Sequence, residues 1–381
     1  MLTNYLRQLI KPNYNTLNRI EINQTAILNN LKIIQSEQAN SKIIPVLKSN
    51  AYGHGLKEIA TILNKSNVEM VAVDSFPEAQ IVYQYFKKKV LIMGEMPAAV
   101  YKFLDWKRTE VCIYSSYNLQ NLMSLKRKIN IHLFINTGMN REGINDIQSF
   151  LQKNENKFHN LRITGLCSHL SNAETSDGKN REQLRIFLES LDLLEKKYKT
   201  LKYIHLANSA GVFSLHHHRL NTCRPGLAVY GINPFKEGSP YFQKASLLLP
   251  VMSVYSTVIA LQEIKAGDSV SYNNNYQAKK DLKIAVIPFG YYEGLDRRLS
   301  NTGQFKLGAD YVKVAGSICM NMTCLELGNK STIKTGQEIQ IISAKSEDLN
   351  SVVQLARIQK TISHEILIGF RDNIRKIIVD K

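Results

Sequence analysis

At 381 residues the chain has room for about two domains, although one barrel of about 250 residues would use most of it. Hydrophobic residues make up 44% and charged residues 21%, a globular balance that excludes a disordered or collagen-like chain. The net charge of +17 raises nucleic acid, membrane surface or anionic ligands as partners. Yet the lysines are spread along the chain, often beside glutamate as in EKKYK (195–199), with no basic-plus-aromatic ladder, so no nucleic acid and no membrane partner is expected.

The opening MLTNYLRQLIKPNYN has no continuous apolar stretch of the kind a secretory signal needs. No apolar run approaches the ~20 residues of a membrane span. Residues 1–16 read as an N-terminal extension and residues 17–248 as the first domain. Helical spacing at Leu28, Leu31 and Ile34 comes before the first strand. Eight β-rich runs follow: 43–48, 70–74, 90–93, 111–114, 131–136, 163–169, 203–207 and 226–231. Each is nearly continuous in apolar residues, as a strand buried on both faces reads. Helical patterns separate them; Leu184, Phe187, Leu188, Leu191 and Leu194 share one face. Lys87, Lys88 and Lys89 end a predicted helix, where cations suit the dipole. Eight strands alternating with helices predict an α/β fold of the (β/α)8 TIM-barrel kind.

From residue 249 to 381 the texture changes. VMSVYSTVIALQEI, KIAVIPFG, YVKVAGSICM and EIQIISA are broken by turns at AGD, NNN, NTG and KTG. They predict a mostly β C-terminal domain, without long helical patterns before Leu349–Ala356. The five cysteines are scattered and form no metal-ligand spacing, so reduced thiols in a cytoplasmic protein are expected. The run His216, His217, His218 reads as a solvated turn, and no metal is expected.

In a barrel, catalytic residues come from the C-terminal ends of strands and the loops after them. Lys48, Asn136, Arg141, His169, Asn208, Ser209, Arg224 and Gly226 stand there. A lysine ending a buried strand is costly unless used, because desolvation disfavours its charge, and a lowered pKa suits a Schiff-base lysine. A rim lysine reaching solvent would satisfy the same pattern. Glycine- and serine-bearing loops after strands seven and eight suit a phosphate group. Lysine, phosphate cradle and arginine together suggest pyridoxal 5'-phosphate.

VLKSNAYGHG, INTGMNREG, HLANSAG, RPGLAVYG, DSVSYNNNY, FGYYEG and GSICMN resemble the alanine racemase family in order and spacing, over roughly residues 17 to 370. The resemblance implies a barrel with a β-rich second domain, interconversion of L- and D-alanine, and a D-alanine supply for peptidoglycan. It also implies a head-to-tail homodimer whose active sites draw on both subunits. Lys48 would carry the cofactor covalently. Tyr272 would reach into the partner's site as the opposing base, since racemisation needs a base on each face of Cα. Arg224 matches the arginine facing the pyridine nitrogen. An arginine keeps its proton, so the ring nitrogen should stay unprotonated, which limits the ring as an electron sink. His169 would link Arg224 to the partner subunit's Tyr272 by hydrogen bonds. Tyr52, Ser209, Gly226 and Leu227 match positions holding the phosphate. Arg141 matches the contact to the phenolic oxygen and the substrate carboxylate. Met320 matches a backbone contact to that carboxylate. Tyr291 matches a tyrosine where substrate enters, and an aromatic at the subunit interface fits it equally.

The chain departs from the family at four positions. Phe134 stands where many members have a lysine, often carbamylated, that braces the arginine matching Arg141. Asn136 replaces a common aspartate, so Arg141 loses two anionic partners; chloride, another carboxylate or a looser arginine would each fit. Asn321 replaces an aspartate. His364 replaces a tyrosine at the phosphate, leaving the imidazole to donate or the contact to be lost. Both bases and Arg224 remain. The departures bear on substrate range, where a serine or broad-specificity racemase is the alternative. A decarboxylase of related fold should place an acid, not Arg224, at the ring nitrogen. A carrier without activity needs neither Tyr272 nor a second domain.

Overall fold

The computed structural model describes residues 15–381, except 124, 126, 159, 176, 177, 200 and 329–332. The N-terminal extension expected over 1–16 therefore lies almost wholly outside the described residues.

Strand β1 (Arg19–Asn23) comes first and is followed by a parallel set: β2 (Lys42–Ile43), β3 (Met70–Val73), β4 (Lys89–Ile92), β5 (Thr109–Ile113), β6 (Ile129–Phe134), β7 (Leu161–Cys167), β8 (Tyr203–His205) and β9 (Thr222–Cys223). β2 to β9 form one sheet in the order β2-β9-β8-β7-β6-β5-β4-β3. A parallel bridge between Val46 and Ala72 brings its two edges together, so the sheet is a nearly closed eight-stranded barrel, as expected. Alternate residues explain the apolar runs. Val46, Ala72, Leu91, Cys112, Phe134 and Cys167 fill one cluster, while Val71, Val73, Val90, Ile92, Ile131 and Leu133 belong to the main core.

The helices obey their sequence signals. Asn23 caps the helix Gln24–Glu37 by accepting the Ala26 N–H at 2.9 Å. Helix Lys179–Lys197 buries Phe187, Leu191 and Leu194, with Leu184 and Leu188 partly covered. Helix Phe76–Tyr85 starts with a Ser75/Glu78 capping box. Lys87 Nζ donates to the Gln84 carbonyl at its end, at 2.7 Å. His216 and His218 are exposed beside a turn.

Two expected strands are corrected. The run 43–48 is a ladder only at Lys42–Ile43. Pro45 has no N–H to offer, and pairing resumes when Val46 N–H donates to the Pro225 carbonyl and Leu47 N–H to the Ala72 carbonyl. The run 226–231 is no strand; the eighth is Thr222–Cys223. The N–H groups of Val229, Tyr230 and Gly231 donate to the carbonyls of Gly226, Leu227 and Ala228 at 2.9, 3.0 and 3.2 Å. These are successive tight turns, apolar because they are buried.

Eight further strands, β10 (Met252–Thr257), β11 (Ala260–Ile264), β12 (Leu282–Ile287), β13 (Gln304–Leu307), β14 (Asp310–Val314), β15 (Thr323–Gly328), β16 (Glu338–Ile342) and β17 (Arg375–Val379), make the second sheet with β1. β1 sits between β10, antiparallel, and β17, parallel, which ties the start of the chain to its end. Two short helices, Val352–Ile358 and Ser363–Gly369, bring second-domain residues to the barrel mouth. Among the described residues no helix is long and apolar enough to cross a membrane.

Candidate active site

A cavity of about 970 Å³ opens at the C-terminal ends of the barrel strands. Lys48, Tyr52, Arg141, His169, Ser209, Arg224, Gly226, Leu227 and His364 all line it. Residues matched one by one along the chain are thus brought together by the barrel topology.

Lys48 does not finish a strand as expected. It starts a left-handed turn in which Ser49, Asn50, Ala51 and Tyr52 all have φ of 53–54°. Such a turn costs about 1–2 kcal/mol per residue for side chains bearing a Cβ, so its surroundings must hold it. Glu78 accepts the Ser49 N–H at 2.6 Å. Asn50 accepts the Leu56 N–H at 2.8 Å and donates to Asp372 of the second domain. His54 Nδ1 lies 3.1 and 3.0 Å from the Ala51 and Tyr52 carbonyls, and its ring stacks on Tyr230 at 4.4 Å. Carbonyls only accept, so the proton is on Nδ1; Nε2 is buried without a hydrogen-bond partner. Gly53, at φ 80°, leaves no room for a β-carbon, which would meet the Leu367 carbonyl at 2.1 Å. Strain of this kind belongs to sites where side-chain direction matters.

The next group can hold an anion. Ser209 Oγ accepts the N–H groups of Gly226 and Ala228 at 3.0 and 3.1 Å. Both lone pairs are then engaged and its own proton is left to donate. Burial first, and the Asp74 carboxylate second, push the Tyr52 hydroxyl up to about 12, so it stays protonated. The His364 ring lies 5.7 Å from the Tyr52 ring. Burial, then the Lys48 charge, lowers the His364 pKa.

Arg224 is buried. Its Nη1 donates to His205 Nδ1 at 2.7 Å and to the His205 carbonyl at 2.9 Å, and Nη2 donates to the Ser168 carbonyl. His169 meets it through charge: burial first, then Arg224, Arg141 and Lys48, push the imidazole down to about 3. A neutral ring at working pH follows.

Arg141 finds its carboxylate next door. Glu142 takes both its Nε and its Nη2, the latter at 2.6 Å, and this pairing first of all raises the arginine pKa. Phe134 packs in the barrel cluster, where charge would be costly. Asn136 folds its own loop instead of meeting Arg141. Its Oδ1 accepts the Gly138 and Asn140 N–H groups at 3.0 and 3.1 Å, and its Nδ2 donates to Asn145 at 2.7 Å. Gln183, unmarked in the sequence, donates to Thr137 Oγ1 and the His169 carbonyl, both at 3.0 Å, and so ties two site loops together.

Tyr272, Tyr291 and Met320 are not among the described residues lining this cavity. They are 69%, 40% and 56% exposed. Their three segments are nonetheless one unit. Ser317 Oγ donates to the Tyr272 carbonyl at 3.1 Å, Tyr291 N–H to Cys319 at 3.0 Å, and Tyr292 N–H to Met320 at 2.8 Å. Asn321 donates to Glu293 at 3.0 Å.

Sequence reading missed a polar chain inside the barrel. Lys89 Nζ lies 2.6 Å from Glu110 Oε1, and Glu110 Oε2 lies 3.0 Å from His132 Nε2. His132 Nδ1 lies 2.8 Å from His205 Nε2, whose ring ends at Arg224. Burial alone would raise the Glu110 pKa, but hydrogen bonds from His132, Lys89 and Thr164 outweigh it and bring it to about 2. The available signal was three polar residues at inward positions of apolar strands.

Two family models match the chain: alanine racemase, N-terminal domain, over residues 22–234, and alanine racemase, C-terminal domain, over 251–378. The chain is similar to the alanine racemase of Borreliella burgdorferi, 31% identical over 361 residues, which are 91% of this chain and 93% of that protein. It resembles the solved alanine racemase of Clostridium difficile 630 with a TM-score of 0.88 and 25% identity, over 96% of this chain and 97% of that one. It shares its fold with the Bartonella henselae alanine racemase solved with covalently bound pyridoxal phosphate. There the TM-score is 0.83 and the identity 24%, over 96% and 100% of the two chains.

Proposed function

Because the chain belongs to the alanine racemase family, we propose that it interconverts L- and D-alanine with pyridoxal 5'-phosphate held at the barrel mouth. In this reading it works as a head-to-tail homodimer in the cytoplasm and supplies D-alanine for peptidoglycan.

The residues present fit the cofactor. Ser209 has a free hydroxyl proton beside the Gly226 and Leu227 backbone, and the Tyr52 phenol stays protonated, so the donor set suits a phosphate. Lys48 would hold the cofactor's aldehyde carbon, Arg224 would face its ring nitrogen, and His364 would donate at the phosphate edge. When bound, the cofactor supplies an electron sink for the pair left on Cα.

Lys48 works one face of Cα: it takes the proton from the enantiomer whose Cα–H points to it, and in the reverse direction it delivers a proton to that same face. The opposite face needs its own base. Tyr272 is exposed and is not among the residues lining the cavity of its own chain, which supports its serving the partner's site, with the exposed Tyr291 and Met320 beside it. Arg224 can donate but never gives up its proton, so a ring nitrogen held against it would stay unprotonated, which would restrain side chemistry. A neutral His169 can accept a hydrogen bond from an arginine or a tyrosine hydroxyl. Arg141 takes the substrate carboxylate and must share itself with Glu142.

What carries the reading is the convergence of Lys48, Tyr52, Ser209 and Arg224 on one cavity. The test is conversion of L-alanine to D-alanine by the purified, cofactor-loaded protein, with Lys48→Ala as control. Conversion that disappears in the control supports the reading. No conversion of alanine alongside conversion of serine would move the substrate to the broader alternative.

A further inference from the structure

The polar chain through the barrel can run in only one direction. Lys89 and Arg224 can only donate, and an ionised Glu110 can only accept. Arg224 Nη1 therefore needs a bare Nδ1 on His205, 2.7 Å away. A neutral His205 then holds its proton on Nε2, which points at His132 Nδ1 across 2.8 Å. His132, bare at Nδ1, holds its proton on Nε2 and donates it to Glu110 Oε2 at 3.0 Å. Lys89 and Thr164 complete the carboxylate's partners, each at 2.6 Å.

We propose that Glu110 is a positioning residue for Arg224. Through His132 and His205 it dictates which ring nitrogens carry protons, and so presents the acceptor that holds the guanidinium at the barrel mouth. The proposal rests on the functional reading only for what Arg224 faces.

The opposite order fails on geometry. A proton on His132 Nδ1 would oblige His205 Nε2 to accept and its Nδ1–H to face Arg224 Nη1–H. Two donors at 2.7 Å repel, and the guanidinium would have to move. The His132 ring cannot turn aside. Across the strand pair it faces Gly165, where a β-carbon would lie 2.5 Å from the ring, and it stacks on Tyr203 at 5.2 Å. Gly165 is thus the space this imidazole occupies. At the far end, the Lys89 side chain is 38% exposed, so water can replace Glu110 there.

The test is nitrogen-15 NMR of the cofactor-loaded protein labelled in histidine, together with kcat and KM for L-alanine. The two rings are assigned with His132→Gln and His205→Gln. In the unaltered protein both rings are expected neutral with the proton on Nε2. Glu110→Leu should shift the proton of His132 toward Nδ1 and lower kcat at least about 10-fold, with KM within about twofold. Glu110→Gln, whose amide oxygen still accepts, should restore the Nε2 forms and most of kcat. Gly165→Ala leaves Glu110 and Lys89 in place but displaces His132, and should lower kcat in the same way; it carries the test if Glu110→Leu does not fold. Rings in another protonation form in the unaltered protein, or a folded Glu110→Leu with unchanged kcat, would overturn the proposal. An unaltered protein without racemase activity would overturn the functional reading instead. The ring protons are read without turnover, and they would still judge the role of Glu110.

Discussion

The hydroxyl of Tyr52 stands against the backbone of Gly226: a β-carbon at position 226 would lie 2.2 Å from the phenolic oxygen. The left-handed turn after Lys48 and the tight turns after Pro225 therefore meet at one point, beside Ser209. Neither side has room to spare. The glycine is there for closeness, since its φ is not positive.

Gly226→Ala should consequently push Tyr52 out of the anion-binding group while leaving the barrel folded. The expected effect is a fall of about 10-fold or more in cofactor affinity, equivalent to about 1.4 kcal/mol. Titrating the apoprotein with pyridoxal phosphate checks this. Unchanged affinity would separate Tyr52 and Gly226 from the phosphate.

The shared-site reading predicts complementation. Lys48→Ala and Tyr272→Phe homodimers should each lose activity. A mixed dimer of the two should regain one competent site, because one of its sites combines both changes and the other has neither. Hybrids that bind cofactor and remain inactive would count against shared sites.

Glu142 holds Arg141 by a largely exposed pair, with side chains 55% and 28% accessible. Solvent screening limits such a pair to about 0.2–1 kcal/mol. Glu142→Gln should therefore raise KM for alanine only about two- to fivefold, with kcat nearly unchanged. The difference from the unaltered enzyme should shrink as salt is added. An effect of a hundredfold would mean that Glu142 does more than brace the arginine.

Acid sensitivity should show the burial of His54. Burial pushes its pKa down to about 4, against hydrogen bonds to the Tyr52 and Ala51 carbonyls that favour the charged form. The unfolded chain, near its ordinary value of about 6.5, binds a proton that the folded chain refuses. The His54 share of the stability is thus fully present above about pH 6.5 and falls as the pH drops toward 4, by about 1.4 kcal/mol per unit in mid-window. Urea midpoints between pH 4 and 8 should fall at least this steeply, because the buried His169, His132 and His205 also resist protonation, and His54→Asn should flatten the slope by about one proton. A variant with the parent slope would place the acid sensitivity elsewhere.

Much of the fold was legible because a strand buried on both faces must be apolar throughout, whatever its neighbours are. The runs 70–74 and 131–136 mark strands Met70–Val73 and Ile129–Phe134 for that reason, the second shifted by two residues. The same rule misled at Leu227–Tyr230, where burial made a string of turns look like a strand. It also hid Glu110, His132 and His205. Single polar residues within apolar strands carry no mark of their partners, which lie on other strands and far along the chain.

The amino-acid sequence by itself determined the kind of fold, the order of the motifs and the residue types at the barrel mouth. Period and burial are properties of neighbouring residues, and the motifs are short. Tertiary structure alone decided that Lys48 starts a left-handed turn, that Arg141 leans on Glu142, and that β1 lies in the second sheet. It also joined Arg224 to Glu110 through two imidazoles. Each of these is set by which groups meet in space, and by which of them can donate or accept a proton once water is excluded.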